Sequence, residues 1–238
     1  MKKMIIHPSL FAYEFVELPP YKTYVYALQK GDRVYIIDTF CGSTFMDIIK
    51  ADFPKKYFIV INTHYHFDHI WGNYSFSDCP IYAHQLCKIM IQRHGTRELQ
   101  EQNIYFQGTQ KLIPPNHCFD GKQLMMEDNL QLLYTPGHTL DGISVYDQMQ
   151  EALFVGDTLE KPLVQLEEAN LPEYKQTLEY FLTLPVVHFY AGHTLHLTKP
   201  DVIDTLAYIN ALLANEAMQF DSDEIQHIHT MNQNAIKR

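Results

Sequence analysis

Residues 62–72 read "NTHYHFDHIWG". His64, His66, Asp68 and His69 crowd into six positions, and each is a good ligand for a transition metal. The stretch before them, "KKYFIVINTH", reads as a buried strand that runs directly into the cluster. One short loop cannot enclose an ion by itself, so the rest of the chain must supply the remaining ligands.

Upstream, "FAYEFVEL", "YKTYVYALQ" and "RVYIIDT" are short β-branched and aromatic runs that predict strands. Gly31 and Asp32 separate the last two as a hairpin turn. The apolar spacing of "TFMDIIKADF" predicts a helix, with Ser43 as its N-cap. Downstream, "IYAHQLCKIMIQRH" starts as a strand and continues as a helix. Residues 94–117 lack a strong period and end near a Pro–Pro pair, so they read as a long connection, a lid or substrate loop. Strands follow near 122–126, 129–135, 143–147 and 151–155, then a helix over about 172–182 and a strand at "VVHFYAG". "KPDVIDTLAYINALLANEA" predicts a closing helix with Pro200 near its start. The polar tail, 221–238, is expected to fray. Two rounds of strands followed by helices imply an α/β arrangement of two mixed sheets flanked by helices, in a single domain over 1–220.

Three further segments share one form: "TPGHT" carries His138, "VGDT" carries Asp157 and "AGHT" carries His193. Each candidate ligand follows a glycine, precedes a threonine and stands at or just after the end of a predicted strand. Glycine permits the tight turn that aims a side chain from a strand end, and the threonine hydroxyl can bond within that turn. With the loop, the donors become five imidazoles and two carboxylates. A catalytic zinc takes about three protein ligands and keeps a position for water. Seven donors therefore suit two ions ~3.5–4 Å apart with a bridging carboxylate.

The ordered set resembles the metallo-β-lactamase fold superfamily. The marks are Asp38 in "YIIDT", the HxHxDH loop at 64–69, then His138, Asp157 and His193, together spanning 38–193. The resemblance implies a four-layer αβ/βα sandwich with a binuclear centre at one edge. By that analogy His64, His66 and His138 hold the first metal, Asp68, His69 and His193 the second, and Asp157 bridges them. Asp68 and Asp38 become the candidate catalytic carboxylates, Asp38 by steadying the metal-binding loop. With Asp157 and His69 in place of a ligating cysteine, the pattern is closer to the glyoxalase II-like hydroxyacylglutathione hydrolases than to the cysteine-containing zinc β-lactamases. Trp71 stands where many relatives carry a small residue.

Composition limits the substrate. The chain has 238 residues, 46% hydrophobic and 19% charged, as a globular protein with a sizeable core requires. Lys and Arg total 18 against 28 Asp and Glu, a formal charge of −10 without a cationic cluster, which disfavours large nucleic acids. No stretch approaches the ~20 apolar residues of a membrane span. The opening "MKKMIIHPSLFAYEF" lacks a signal-peptide core, and the four scattered cysteines lack CxxC spacing, so a cytoplasmic protein with reduced thiols is expected. Homo-oligomerisation stays open.

Other polar residues have plainer readings. His196 lacks a preceding glycine and reads as a pocket-rim or solvent residue, and His227 and His229 as surface residues of the tail. Arg93, His94 and Arg97 either meet an anionic substrate or form a solvated helix end, and Tyr105 and Phe106 either line a mouth or bury against the sheet. The expected activity is hydrolysis of a small ester, thioester or lactone by a metal-bridging hydroxide, with two zinc ions, iron or manganese also fitting N/O ligands. The alternatives are an iron-dependent redox enzyme of the same fold acting on persulfides or oxygen, or a phosphodiesterase or β-lactamase.

Overall fold

In the computed structural model, residues 1–167 and 170–236 are described. Glu168 and Ala169, just before the helix that begins at Leu171, and Lys237 and Arg238, at the end of the tail, lie outside the described residues. The chain divides into two compact units, Met1–Leu124 and Met125–Arg238.

In the first unit, β1 (Lys2–His7), β2 (Leu10–Leu18), β3 (Tyr21–Lys30) and β4 (Arg33–Ile37) form an antiparallel meander. β5 (Tyr57–Ile61), β6 (Ile81–His84) and β7 (His117–Phe119) then add in parallel, giving a mixed seven-stranded sheet. The hairpin turn lies where Gly31 and Asp32 put it: Lys30 pairs with Arg33 and Gly31 takes φ +60°. β1 escaped the sequence reading because its residues are mostly exposed, so no buried stripe marks it. Between strands lie α1 (Ser43–Ala51), α2 (Phe67–Ile70) and α3 (Gln85–Glu101).

The N-cap of α1 is Gly42, not Ser43. Gly42 has φ +148°, and a Cβ there would stand 2.0 Å from the Gln107 carbonyl oxygen, so only glycine fits. Ser43 is instead the first helical residue, and its hydroxyl accepts from the Thr109 amide at 3.0 Å. α3 extends through Glu101, so the irregular connection is shorter than the 94–117 expected. Trp71 is fully buried in this unit's core, packed on Phe67 and Phe106. Around it, Phe15 stacks on Phe40 with ring centroids 4.1 Å apart. Each such large side chain contributes roughly 1.5–3 kcal/mol by leaving water.

The second, five-stranded sheet runs β12-β11-β10-β9-β8, from β8 (Gln123–Met125), β9 (Leu130–Tyr134), β10 (Ile143–Asp147), β11 (Ala152–Gly156) and β12 (His188–Ala191). β9, β10 and β11 pair antiparallel, and β12 joins β11 in parallel, so this sheet is mixed too. α4 (Leu171–Thr183), α5 (Lys199–Leu213) and α6 (Asp223–Ala235) complete it. Asn170 caps α4, and a Thr198–Asp201 capping box with Pro200 starts α5. Leu178, Phe181 and Phe189 anchor its core.

The expectation of a fraying tail does not hold for 223–235. Ser222 accepts from the Ile225 amide to start α6, which buries Ile228, His229 and Asn232. The polar composition misled because two of the three buried residues are themselves polar and find partners inside. His229 is thus not a surface residue: its Nδ1 lies 3.0 Å from the Tyr208 hydroxyl.

Candidate metal centre

In the first unit, β5 ends at Ile61 and the chain turns through His64 and His66 into α2, which carries Asp68 and His69. All four side chains are buried. The Asn62 amide holds the loop by donating to the His69 carbonyl at 3.2 Å and to Asn73 Oδ1 at 3.1 Å, and Asn73 donates back at 2.9 Å.

Asp38 organises the histidines. It follows β4 in the left-handed region, φ 62°, and is buried. Its Oδ1 accepts from the Thr63 amide at 2.8 Å. Its Oδ2 accepts from the Thr63 hydroxyl and from His69 Nδ1, both at 2.8 Å. The bond to the carboxylate fixes the proton of His69 on Nδ1 and gives its Nε2 a lone pair, 3.6 Å from Asp68 Oδ2. Because the Thr63 hydrogen is committed to Asp38, its oxygen accepts from His64 Nδ1 at 3.0 Å. That puts the His64 lone pair on Nε2, 3.1 Å from His66 Nδ1. Two nitrogens on one tetrahedral ion with ~2.0–2.1 Å bonds stand ~3.3 Å apart, so this pair has a ligand-like separation.

In the second unit, the three G-[HD]-T turns follow β9, β11 and β12. At Gly137 an added Cβ would meet the Tyr174 ring at 2.5 Å, and Gly156 takes φ +52°. The Tyr174 ring therefore excludes a side chain at Gly137, and the left-handed backbone favours glycine at Gly156. His138 Nδ1 donates to the Gln165 carbonyl at 2.7 Å, which leaves the lone pair on Nε2. Asp157 Oδ2 lies 3.8 Å from His138 Nε2 and 3.2 Å from His193 Nε2. Tyr174, fully buried, donates its hydroxyl to the Thr158 carbonyl beside Asp157. Burial, then the Glu160 and Asp157 carboxylates, push the Tyr174 hydroxyl well above its ordinary range and keep it neutral. The threonine hydroxyls do not all serve their own turns: that of Thr194 accepts from the Lys161 amide, and the first turn closes through Gly137 N–H and the Thr139 carbonyl.

Neutral imidazoles with Nε2 or Nδ1 lone pairs, joined by carboxylates, are the donor chemistry of a divalent transition-metal site. His193, not His196, approaches Asp157. His196 is exposed and pairs with His188 at 3.0 Å. Arg93 and Arg97 are exposed, and Arg97 lies 3.8 Å from Glu101 along α3, the solvated-helix reading. Tyr105 and Phe106 pack against the first unit's core. Sequence reasoning missed Thr63, Gln165 and the Asn62–Asn73 pair. Thr63 adjoins His64 and could have been noticed, but a backbone carbonyl carries no signal in the residue type.

The model of the metallo-β-lactamase superfamily matches residues 18–193, which include Asp38 and all seven donors. A hydroxyacylglutathione hydrolase of Pelagibacter ubique is 31% identical over 103 residues, 42% of this chain and 35% of that protein. A probable metallo-hydrolase of Methanocaldococcus jannaschii is 27% identical over 138 residues, 54% of this chain and 64% of that protein. The chain thus spans less than two thirds of the length of these curated relatives. The solved metallo-β-lactamase from Hirschia baltica superposes with a TM-score of 0.70 at 20% identity, covering 87% of this chain and 96% of that one, which shows the fold. With its His/Asp metal-binding residues and a family match over most of its length, the chain belongs to the metallo-β-lactamase superfamily.

Proposed function

We propose that the seven donors hold two divalent metal ions, zinc by first choice, and that the chain hydrolyses a small ester, thioester or lactone. His64, His66 and His138 hold one ion, Asp68, His69 and His193 the other, and Asp157 bridges. The donor chemistry supports this division: five imidazoles and two carboxylates suffice for two ions that share one carboxylate. The observation that carries the reading is the position of Asp157 Oδ2, next to His138 Nε2 at 3.8 Å and His193 Nε2 at 3.2 Å. One carboxylate oxygen thereby stands beside the two imidazoles that the proposal assigns to different ions.

Bound ions of this kind supply Lewis acidity, lowering the pKa of water from 15.7 to about 7 and polarising a carbonyl. The chain's residues do the rest. Asp38 keeps the protons of His69 and, through Thr63, of His64 on Nδ1, so that their Nε2 atoms present lone pairs. The Gln165 carbonyl does the same for His138. Two carboxylates only partly offset two divalent charges, which favours the negative charge that develops on an attacked carbonyl. A side-chain nucleophile is then unnecessary. The Pelagibacter ubique relative supports a thioester as the first substrate to test. No helix among the described residues is long and apolar enough to cross a membrane. We favour a cytoplasmic setting.

The test is metal analysis joined to a panel of thioesters, lactones, β-lactams and phosphodiesters. Thioester or lactone turnover that a chelator removes and Zn²⁺ restores is expected. Iron with oxygen uptake, or turnover of phosphodiesters or β-lactams alone, would overturn the substrate assignment.

A further inference from the structure

Asn232 stands on the C-terminal helix α6, far along the chain from every candidate ligand, yet it is buried and fully engaged. Its Nδ2 donates to the Val164 carbonyl at 2.8 Å and to the Tyr208 hydroxyl at 3.0 Å. Its Oδ1 accepts from the Leu166 amide at 2.9 Å. In an extended segment the C=O of one residue and the N–H two residues on point to the same edge, and the groups between them point to the other. The Asn232 amide therefore occupies one edge of the 164–167 segment, as a neighbouring strand would.

The opposite edge belongs to His138. The Gln165 carbonyl accepts from His138 Nδ1 at 2.7 Å, and the Glu167 amide donates to the His138 carbonyl at 3.4 Å. Val164 and Leu166 meanwhile bury their side chains in the second unit's core. The segment is a strap gripped by the C-terminal helix on one side and by a candidate metal ligand on the other.

We propose that Asn232 is a positioning residue for the metal centre: by pinning Val164 and Leu166 it fixes the Gln165 carbonyl, and so the tautomer and direction of the His138 ring. This rests on His138 being a ligand, as proposed above. It gives α6 a role in metal binding that its polar sequence does not announce. Outer-shell partners of a ligating histidine typically change metal affinity 10–100-fold when removed.

The experiment is Co²⁺ titration of the full chain against a competing chelator, following affinity and the visible absorption spectrum. Ile228→Ala serves as control, because Ile228 is also buried on α6 but its hydrocarbon side chain can make no hydrogen bond to the strap. Asn232→Ala should weaken Co²⁺ binding by about tenfold or more and alter the spectrum. Ile228→Ala, compared at an equal loss of thermal stability, should leave both within about twofold of wild type. Wild-type affinity in Asn232→Ala would overturn the proposal, as would an equal loss in Ile228→Ala. If Asn232→Ala does not fold, Asn232→Asp decides: it keeps an acceptor for the Leu166 amide but sets an oxygen against the Val164 carbonyl. Weakened binding there supports the proposal and unchanged binding overturns it. A wild-type chain that takes up no Co²⁺ would instead overturn the metal-site reading, and this proposal with it.

Discussion

The two units present their candidate metal-binding side chains by opposite strategies. In the first, four donors lie within six residues and one buried carboxylate, Asp38, orients two of the rings, one of them through Thr63. In the second, three donors come from three separate strand ends, and the ring with an assigned tautomer, His138, is held by a backbone carbonyl. A contiguous cluster can share one organiser. Dispersed ligands each follow a separate glycine turn and depend on how well the surrounding strands and straps are packed.

This contrast can be broken at several points. The largest effect is expected at the ligands. Asp157→Ala should remove the carboxylate next to both His138 and His193 and lower turnover on the order of 10³-fold or more, with the fold retained by circular dichroism. His66→Ala should do the same from the contiguous cluster. Wild-type turnover with metal retained in either variant would remove that residue from the set. Next comes the organiser: Asp38→Asn should weaken metal binding roughly 10–100-fold, measured by chelator competition. An unchanged affinity would mean that the 2.8 Å bonds to Thr63 and His69 do not orient the ligands.

How far these features could be read in advance follows the same division. His64, His66, Asp68 and His69 announce themselves because ligand types recur at short spacing, and the repeated G-[HD]-T form picks out His138, Asp157 and His193. Most strands and helices were also legible, since β10 and β11 are buried along their whole length and read as short apolar runs. Three features were hidden for physical reasons. Gly42 rather than Ser43 caps α1 because the nearby Gln107 backbone leaves no room for a Cβ, a long-range contact. α6 folds because polar Asn232 and His229 find buried partners, which composition cannot foresee. The orientation of His138 depends on a main-chain carbonyl, invisible to any reading of residue types.

Two smaller effects sharpen the comparison in the dispersed half. Gly137→Ala should drive a methyl group into the Tyr174 ring, 2.5 Å away, and cost about 1–3 kcal/mol in denaturant unfolding. Stability unchanged by this substitution would show that the turn can shift without loss. Burial holds the His229 imidazolium below its ordinary pKa of 6.5, so the unfolded chain takes up the proton first. The contribution of His229 to stability should therefore be complete above pH 6.5 and decline as pH falls below it. His229→Gln should flatten that part of the profile, as read from Tm against pH, and a persisting decline of the same size would assign it elsewhere.

The central claim is that donors from both halves of the sequence serve one binuclear centre. Equilibrium metal titration of the wild-type chain beside Asp157→Ala and His138→Ala tests it most directly. The account predicts two ions per wild-type chain and a loss of occupancy in both variants, although each alters only the C-terminal half. Two ions bound with unchanged affinity after either substitution would contradict it.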